Sequence, residues 1–494
     1  MLLINNMLKL EPIKSIATND KLSISDKLID LFRIFNISSL CRKNNMIKYK
    51  GYPVADILSV LLLFPFMALA TVNSFMSSRF KQLIDAQKDT LFRLKNNDYY
   101  QWRRLVYLFA NTFKKLTNND PNVSPKTPRC LIVDDTVIPK VGRRIEFIGK
   151  VFDHVIKRWV LGFKLLVLAF WDGNSLIPLD FSFHAEPGYN KKYPFGLLKR
   201  QLRQRFSKPR PTGAAGYTRT QEVFVDKITN AIALINPALR DKHGFVPDYV
   251  LSDSWFSVER LIKIVRQLKK GCLHFLGMVK MDKRRYEYQG HHLNANELRA
   301  QLKSSHIKRA KQLNAYYIEV MVNYSDIGPV KPFFTRFSKR SKWCLILSTN
   351  INLTFHQALE IYTIRRTIEV MFKECKQLLN LGACQSNDFD AQIADATMSL
   401  LVYLMLSFHK KIYSYTSLGA LFVEYADQLL DASVAEKLWQ LFLTIQLTLA
   451  EIFAMDYTQL MRTIFQLPEV RKTIKSLAEI FFDDHCSIEF KNAA

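Results

Sequence analysis

The feature that most narrows the fold is a β-prone apolar run from Trp159 to Trp171. It is followed by the turn signal Asp172-Gly173-Asn174 and a second strand-like run from Leu176 to His184. Two such runs joined by a tight polar turn read as a β-hairpin. The texture around it changes element by element. Cys130 to Val133 is a short apolar run ending in Asp134, Asp135 and Thr136. Gln221 to Ile235 is helical in pattern, Asp248 to Asp253 a short strand, Val258 to Leu268 a helix, and His274 to Val279 another strand. Strand-like runs recur at Ala315 to Tyr324, Pro332 to Phe337 and Trp343 to Ser348. A long helix is predicted from about Phe355 to Leu379.

A hairpin first and strand–helix alternation after it is the layout of an RNase H-like α/β core, here with a β-rich insertion at about residues 281–350. Alternation alone permits many α/β folds. The expected division is a helical N-terminal region over 1–120, a core over 128–382 and a helical C-terminal region over 383–494. Leu91 to Leu116 typifies the first region, with apolar residues at spacings of three and four. Asn118 to Pro128 holds three prolines and reads as a linker.

Charge selects the class of partner. Seventy Lys and Arg against 44 Asp and Glu leave a formal +26, which favours a polyanion. The apolar runs Ile57 to Val72 and Ala396 to Phe408 are shorter than the roughly 20 residues of a spanning helix and read as buried core, so no membrane partner is expected. Met1 to Pro12 lacks a signal-peptide pattern. Seven cysteines without C-x-x-C spacing predict reduced thiols in a cytoplasmic protein. The ten histidines are scattered, and no zinc cluster is visible.

The predicted helix carries Tyr362, Arg365, Glu369 and Lys376, opened by a Thr354/Gln357 capping box. At about 100° per residue, offsets of three, seven and fourteen from Tyr362 fall at roughly −60°, −20° and −40°, one narrow stripe flanked by Arg366 and Lys373. A carboxylate among cations and a tyrosine suits a metal beside a phosphate backbone. The same stripe would serve an ordinary solvated face with ion pairs at i,i+4. Asp134 and Asp253 end predicted strands, where ligands bind in α/β sheets. With Glu369 they form three acids able to hold two divalent metals for in-line displacement at phosphorus. Asp253 taken singly would serve equally as a cap for the helix after it.

At this point the sequence resembles a known group. Tyr362-x2-Arg365-x3-Glu369-x6-Lys376 has the spacing of the Tyr-Arg-Glu-Lys (YREK) signature of bacterial insertion-sequence DDE transposases. The segments LIVDDT, LSDSWFS and LGACQSNDFDAQIADAT are similar to that group too, over about Cys130 to Leu406. The resemblance implies an RNase H-like catalytic core whose Asp134, Asp253 and Glu369 bind Mg²⁺, with Mn²⁺ able to substitute. It implies cutting at transposon terminal inverted repeats and joining of the 3′ ends to target DNA, by a homodimer on double-stranded DNA. Tyr362, Arg365 and Lys376, with Lys373 and Arg366, would grip phosphates. The alternatives are a domesticated or non-cutting DNA-binding relative, and an RNase H-like nuclease that does not join.

Three finer expectations follow. Asp134 and Asp135 cannot both face the site on a regular strand, and strand polarity does not choose between them; the family pattern of acid, variable residue, Thr or Ser assigns metal to Asp134. Asp135 is then expected at the mouth of the site, near a cation such as Lys140. The connector Lys191 to Arg219, rich in Lys and Arg, reads as an exposed loop on DNA backbone. In one branch of the group an insertion Trp helps flip a base; Trp343, which begins an apolar run, reads as core instead.

Overall fold

The computed structural model describes residues 30–117, 127–188, 190–240, 244–413, 417–427 and 466–472. The predicted linker falls almost wholly outside these residues, as does most of the C-terminal region. The chain forms two compact units. One draws on described residues 30–38, 48–91 and those after 414; the other comprises 39–47 and 92–413.

The smaller unit is helical. The helix Val54–Leu63 buries Ile57, Leu58 and Leu61. Thr71 and Ser74 form a capping box that opens Val72–Met76. Phe66 stacks on Phe422 at 5.2 Å, so N- and C-terminal parts of the chain share one core.

The larger unit is mixed α/β, consistent with an RNase H-like domain. Its strands are β1 (Cys130–Pro139), β2 (Gly149–Asp153), β3 (Arg158–Trp171), β4 (Leu176–His184), β5 (Tyr249–Ser252), β6 (His274–Val279), β7 (Arg285–Tyr288), β8 (His291–Asn294), β9 (Lys308–Ala310), β10 (Ala315–Glu319), β11 (Val322–Tyr324), β12 (Gly328–Arg336) and β13 (Cys344–Ser348). The helices that position the site are α1 (Trp102–Thr117), α2 (Ala215–Glu222), α3 (Lys227–Arg240), α4 (Glu259–Gln267), α5 (Ala295–Gln301), α6 (Phe355–Thr363), α7 (Arg366–Leu378) and α8 (Phe389–Tyr413).

The expected hairpin is β3–β4, closed by Asp172, whose Oδ1 accepts the Asn174 and Ser175 N–H groups. β3 pairs antiparallel with β1 from Cys130↔Trp171 to Pro139↔Gly162, while β5 pairs parallel with β1 and β6 parallel with β5. The β-rich insertion joins this sheet through β13, which pairs antiparallel with β6.

Four expectations need correction. Asp134 does not end its strand: β5 stops at Ser252, but β3 supports β1 for six further residues, Asp134 to Pro139. The helix expected over Leu91 to Leu116 is two helices, Lys88–Lys95 and α1. Between them the Asn97 side chain accepts the Tyr99 and Tyr100 N–H groups and competes with helical bonding. The helix expected over Phe355 to Leu379 is pinched between α6 and α7, where Arg365 N–H bonds Tyr362 O and Ile368 N–H bonds Arg365 O, a locally 3₁₀-like turn. The apolar run Ala396 to Phe408 lies within the 25-residue α8, which by length and apolar content is long enough to cross a membrane; 94% of its most apolar window is buried inside the protein.

Candidate active site

Pleating separates the two neighbouring acids. Asp134, Thr136 and Ile138 share the face of β1 that α7 covers, and Asp135 points to the other face. On the α7 side Lys376 Nζ donates to Thr136 Oγ1 at 2.6 Å. Past the end of α7, Gly382 adopts φ +94°, a conformation that favours glycine, and packs close to Ile138. Lys140 Nζ donates to the Gly382 and Cys384 carbonyls at 2.9 Å each. Lys140 therefore ties the end of β1 to the end of α7 and is not the neighbour of Asp135. That role belongs to Lys227 of α3, which ion-pairs with Asp135 and places its Nζ 3.8 Å from the centre of the Trp255 ring.

Asp134 and Asp253 meet because of register. Val133 pairs with Ser252, so the next residue on each parallel strand is the acid. Asp253 does not cap α4, whose N-cap is Val258. Its Oδ1 accepts the Trp255 and Phe256 N–H groups at 2.9 and 3.1 Å, which pins the carboxylate at the end of β5. Asp134 is 8% exposed. Its Oδ1 accepts the Asp135 N–H, and its Oδ2 accepts from Arg365 at 2.7 Å.

Arg365 is the centre of the arrangement. The tightened turn between α6 and α7 brings its guanidinium to Asp134 with one nitrogen and to Glu369 with another, at 2.7 and 2.6 Å. The guanidinium also lies 5.8 Å from the centre of the Tyr362 ring. Its Nε is buried without a hydrogen-bond partner. The Glu369 side chain is 53% exposed, and Arg366 and Lys373 are exposed on the same helix.

Burial pushes the Asp134 carboxyl up to about 7; Arg365 opposes this, while the Asp253 and Asp135 charges add to it. Burial also raises the Tyr362 hydroxyl against the pull of Arg365. The Lys376 ammonium, desolvated against β1, sits below the usual lysine value.

Two carboxylates thus share one guanidinium, and the Asp253 charge acts on Asp134 beside them, an excess of negative charge at a partly buried site. As folded, no group of three or more acidic, histidine or cysteine side chains among the described residues converges closely enough to cage a metal. The cation between Asp134 and Glu369 is Arg365. A hard, all-carboxylate oxygen set with surplus negative charge and a positive group already standing in it fits a hard divalent cation.

The basic connector is only partly a surface. Lys191, Lys192, Lys199, Arg200 and Arg203 are exposed. Lys208, Arg210 and Arg219 turn inward onto Glu146, Asp388 and Asp390. Nothing in the local sequence marks these three, because their acids lie 62 to 182 residues away: Lys208 bonds Glu146 through its N–H, and Lys208 and Arg210 reach Asp388 and Asp390 at the start of α8. Trp343 is not core either; its ring stands between the Arg299 and Arg336 guanidinium groups, at 4.5 and 4.4 Å.

No curated protein matches the chain. The family described as "Transposase DDE domain" matches residues 125–405, more than half of the sequence and all of the residues built into this site. The chain belongs to the transposase DDE-domain family.

Proposed function

We propose that this transposase cuts at the ends of an insertion sequence and joins the freed 3′ ends to target DNA. The observation that carries the reading is the balance of three carboxylates, Asp134, Asp253 and Glu369, against the single Arg365. These carboxylates would hold Mg²⁺, or Mn²⁺ in its place. Bound there, divalent cations would favour the deprotonated attacking oxygen and offset charge on the leaving oxygen.

The chain's own residues do the rest. Arg365 keeps Asp134 and Glu369 from repelling each other in the free protein, and its unpartnered Nε suits a phosphate oxygen. Asp253, fixed by two backbone N–H groups, cannot swing away. Tyr362 and Lys376, on the α6–α7 segment that carries Glu369, would hold phosphates on either side of the cut, as the YREK resemblance implies, with Arg366 and Lys373 at the exposed rim. The strand order β4-β3-β1-β5-β6, with two antiparallel pairings followed by two parallel ones so that β3 alone runs opposite to the rest, supports an RNase H-like core. End recognition by the helical N-terminal region and action as a homodimer complete the reading.

A strand-transfer assay with labelled transposon ends tests it. Mg²⁺ should support cutting and joining, EDTA neither, and Ca²⁺ only DNA binding, since its looser coordination does not suit the chemical step. Cutting without joining would leave a nuclease; full activity in EDTA would remove the metal assignment.

A further inference from the structure

One surface of the catalytic unit is used by neither the site nor the core. β3 outruns β1, so that Arg158 to Val160 pair along their length only with β2. The result is a two-stranded ribbon. Its turn is ordered: Asp153 Oδ1 accepts the Val155 and Ile156 N–H groups. The tip is apolar yet in water. Val155 is 90% exposed, Ile156 47% and Trp159 55%, with the Trp159 ring braced edge-on against Phe152 at 5.6 Å. Around the tip Lys150, Lys157 and Arg158 are exposed. The exposed half of the connector continues this positive surface, because Phe195 packs on Gly149 and Gly196 on Lys150. The acids of the ribbon and its lead-in are accounted for: Asp153 in the turn, and Glu146 buried against Arg210.

The ribbon is also near the cut. Trp159 stands eight residues along β3 from Val167, the partner of Asp134, and so no more than about 27 Å away. That is less than one turn of duplex DNA, about 34 Å. Asp153 lies close enough to Lys376 of α7 to act on its charge.

We propose that the β2–β3 ribbon and the exposed connector form a second DNA contact, in which Lys150, Lys157 and Arg158 hold phosphates while Val155, Ile156 and Trp159 enter a groove of the same duplex within one turn of the cut. A two-stranded ribbon fits the major groove, and apolar side chains wedge against base steps. A positive patch repels a second positive copy of itself, so charge favours DNA over self-association. This inference rests on the transposase reading and extends it.

The test is binding of a fluorescently labelled duplex to the full chain across a salt series, read by anisotropy. K150Q/K157Q/R158Q should weaken binding roughly tenfold or more and flatten the slope of log affinity against log salt by about 2 to 3, since each phosphate no longer neutralised changes that slope by about 0.9. V155S/I156S should weaken binding at every salt concentration with the slope unchanged. If both variants bind as wild type does while wild type still cuts, the ribbon assignment fails and the transposase reading stands. If the variants lose mass in sedimentation without DNA while binding DNA normally, the ribbon is a contact between copies and the proposal is overturned. A wild-type chain that binds no DNA would overturn both readings.

Discussion

Asp134 and Asp390 are both buried aspartates that meet arginines brought from distant parts of the chain, yet they differ in almost every consequence. Asp390 belongs to a closed set: Glu146, Asp388 and Asp390 face Lys208, Arg210 and Arg219, three charges of each sign. Burial would raise Asp390, but Arg219, Lys208 and Arg210 outweigh it and hold the carboxyl below the usual range. Asp134 shares one guanidinium with Glu369 beside a second aspartate, and there burial wins. One cluster is balanced in charge by the protein alone and fastens the connector to the start of α8. The other has carboxylate charge that the protein does not neutralise. On the proposed reading, imbalance separates the reactive centre from scaffold where charge density alone does not.

The difference can be broken by removing one charge from each cluster. Asp134→Asn keeps shape and deletes a charge the fold does not need. Cleavage should fall by several orders of magnitude in saturating Mg²⁺, with the urea midpoint unchanged or higher. A D134N protein that cuts at the wild-type rate would move the catalytic role off this residue. Asp390→Asn should do the reverse. It leaves the buried Arg219 without its carboxylate partner, while Arg210 keeps Glu146 and Asp388, and should cost about 3–5 kcal/mol of unfolding free energy, equally with and without Mg²⁺. An unchanged urea midpoint would show that the network is not structural.

The pH dependence separates the clusters next. Asp134 has a folded value of about 7 against an unfolded value of about 3.9. Between these limits the native state binds the extra proton, so its contribution makes metal-free stability fall as pH rises from about 4 to 7, by about 4 kcal/mol at most. Below pH 4 both states are protonated and the penalty is absent. D134N should flatten this stretch of the unfolding profile; a profile identical to wild type would place the titration elsewhere.

The smallest effect concerns Arg365. Arg365→Ala should weaken binding of a cleaved DNA end by about 1.5–3 kcal/mol, the size of one charge-assisted hydrogen bond. The same variant should bind Mn²⁺ more tightly in calorimetry without DNA, since the competing cation is gone. Equal DNA and Mn²⁺ affinities in variant and wild type would show that Arg365 serves neither ligand.

Much of this was readable from local pattern. The apolar runs and the Asp172-Gly173-Asn174 turn specify the β3–β4 hairpin through short-range pleat and turn chemistry. The spacing of Tyr362, Arg365, Glu369 and Lys376 put one charged stripe on one helical segment, and the Thr354/Gln357 box that opens it depends only on neighbours. Pairings across the sheet and between faces were not readable. Register brings Asp134 level with Asp253, and pleating sends Asp135 to Lys227 rather than Lys140. The same limit explains the connector: Lys208, Arg210 and Arg219 look in sequence like the exposed cations Lys191, Lys192, Lys199, Arg200 and Arg203. Only the fold supplies the acids that bury them, because an ion pair depends on separation in space and the sequence records separation along the chain.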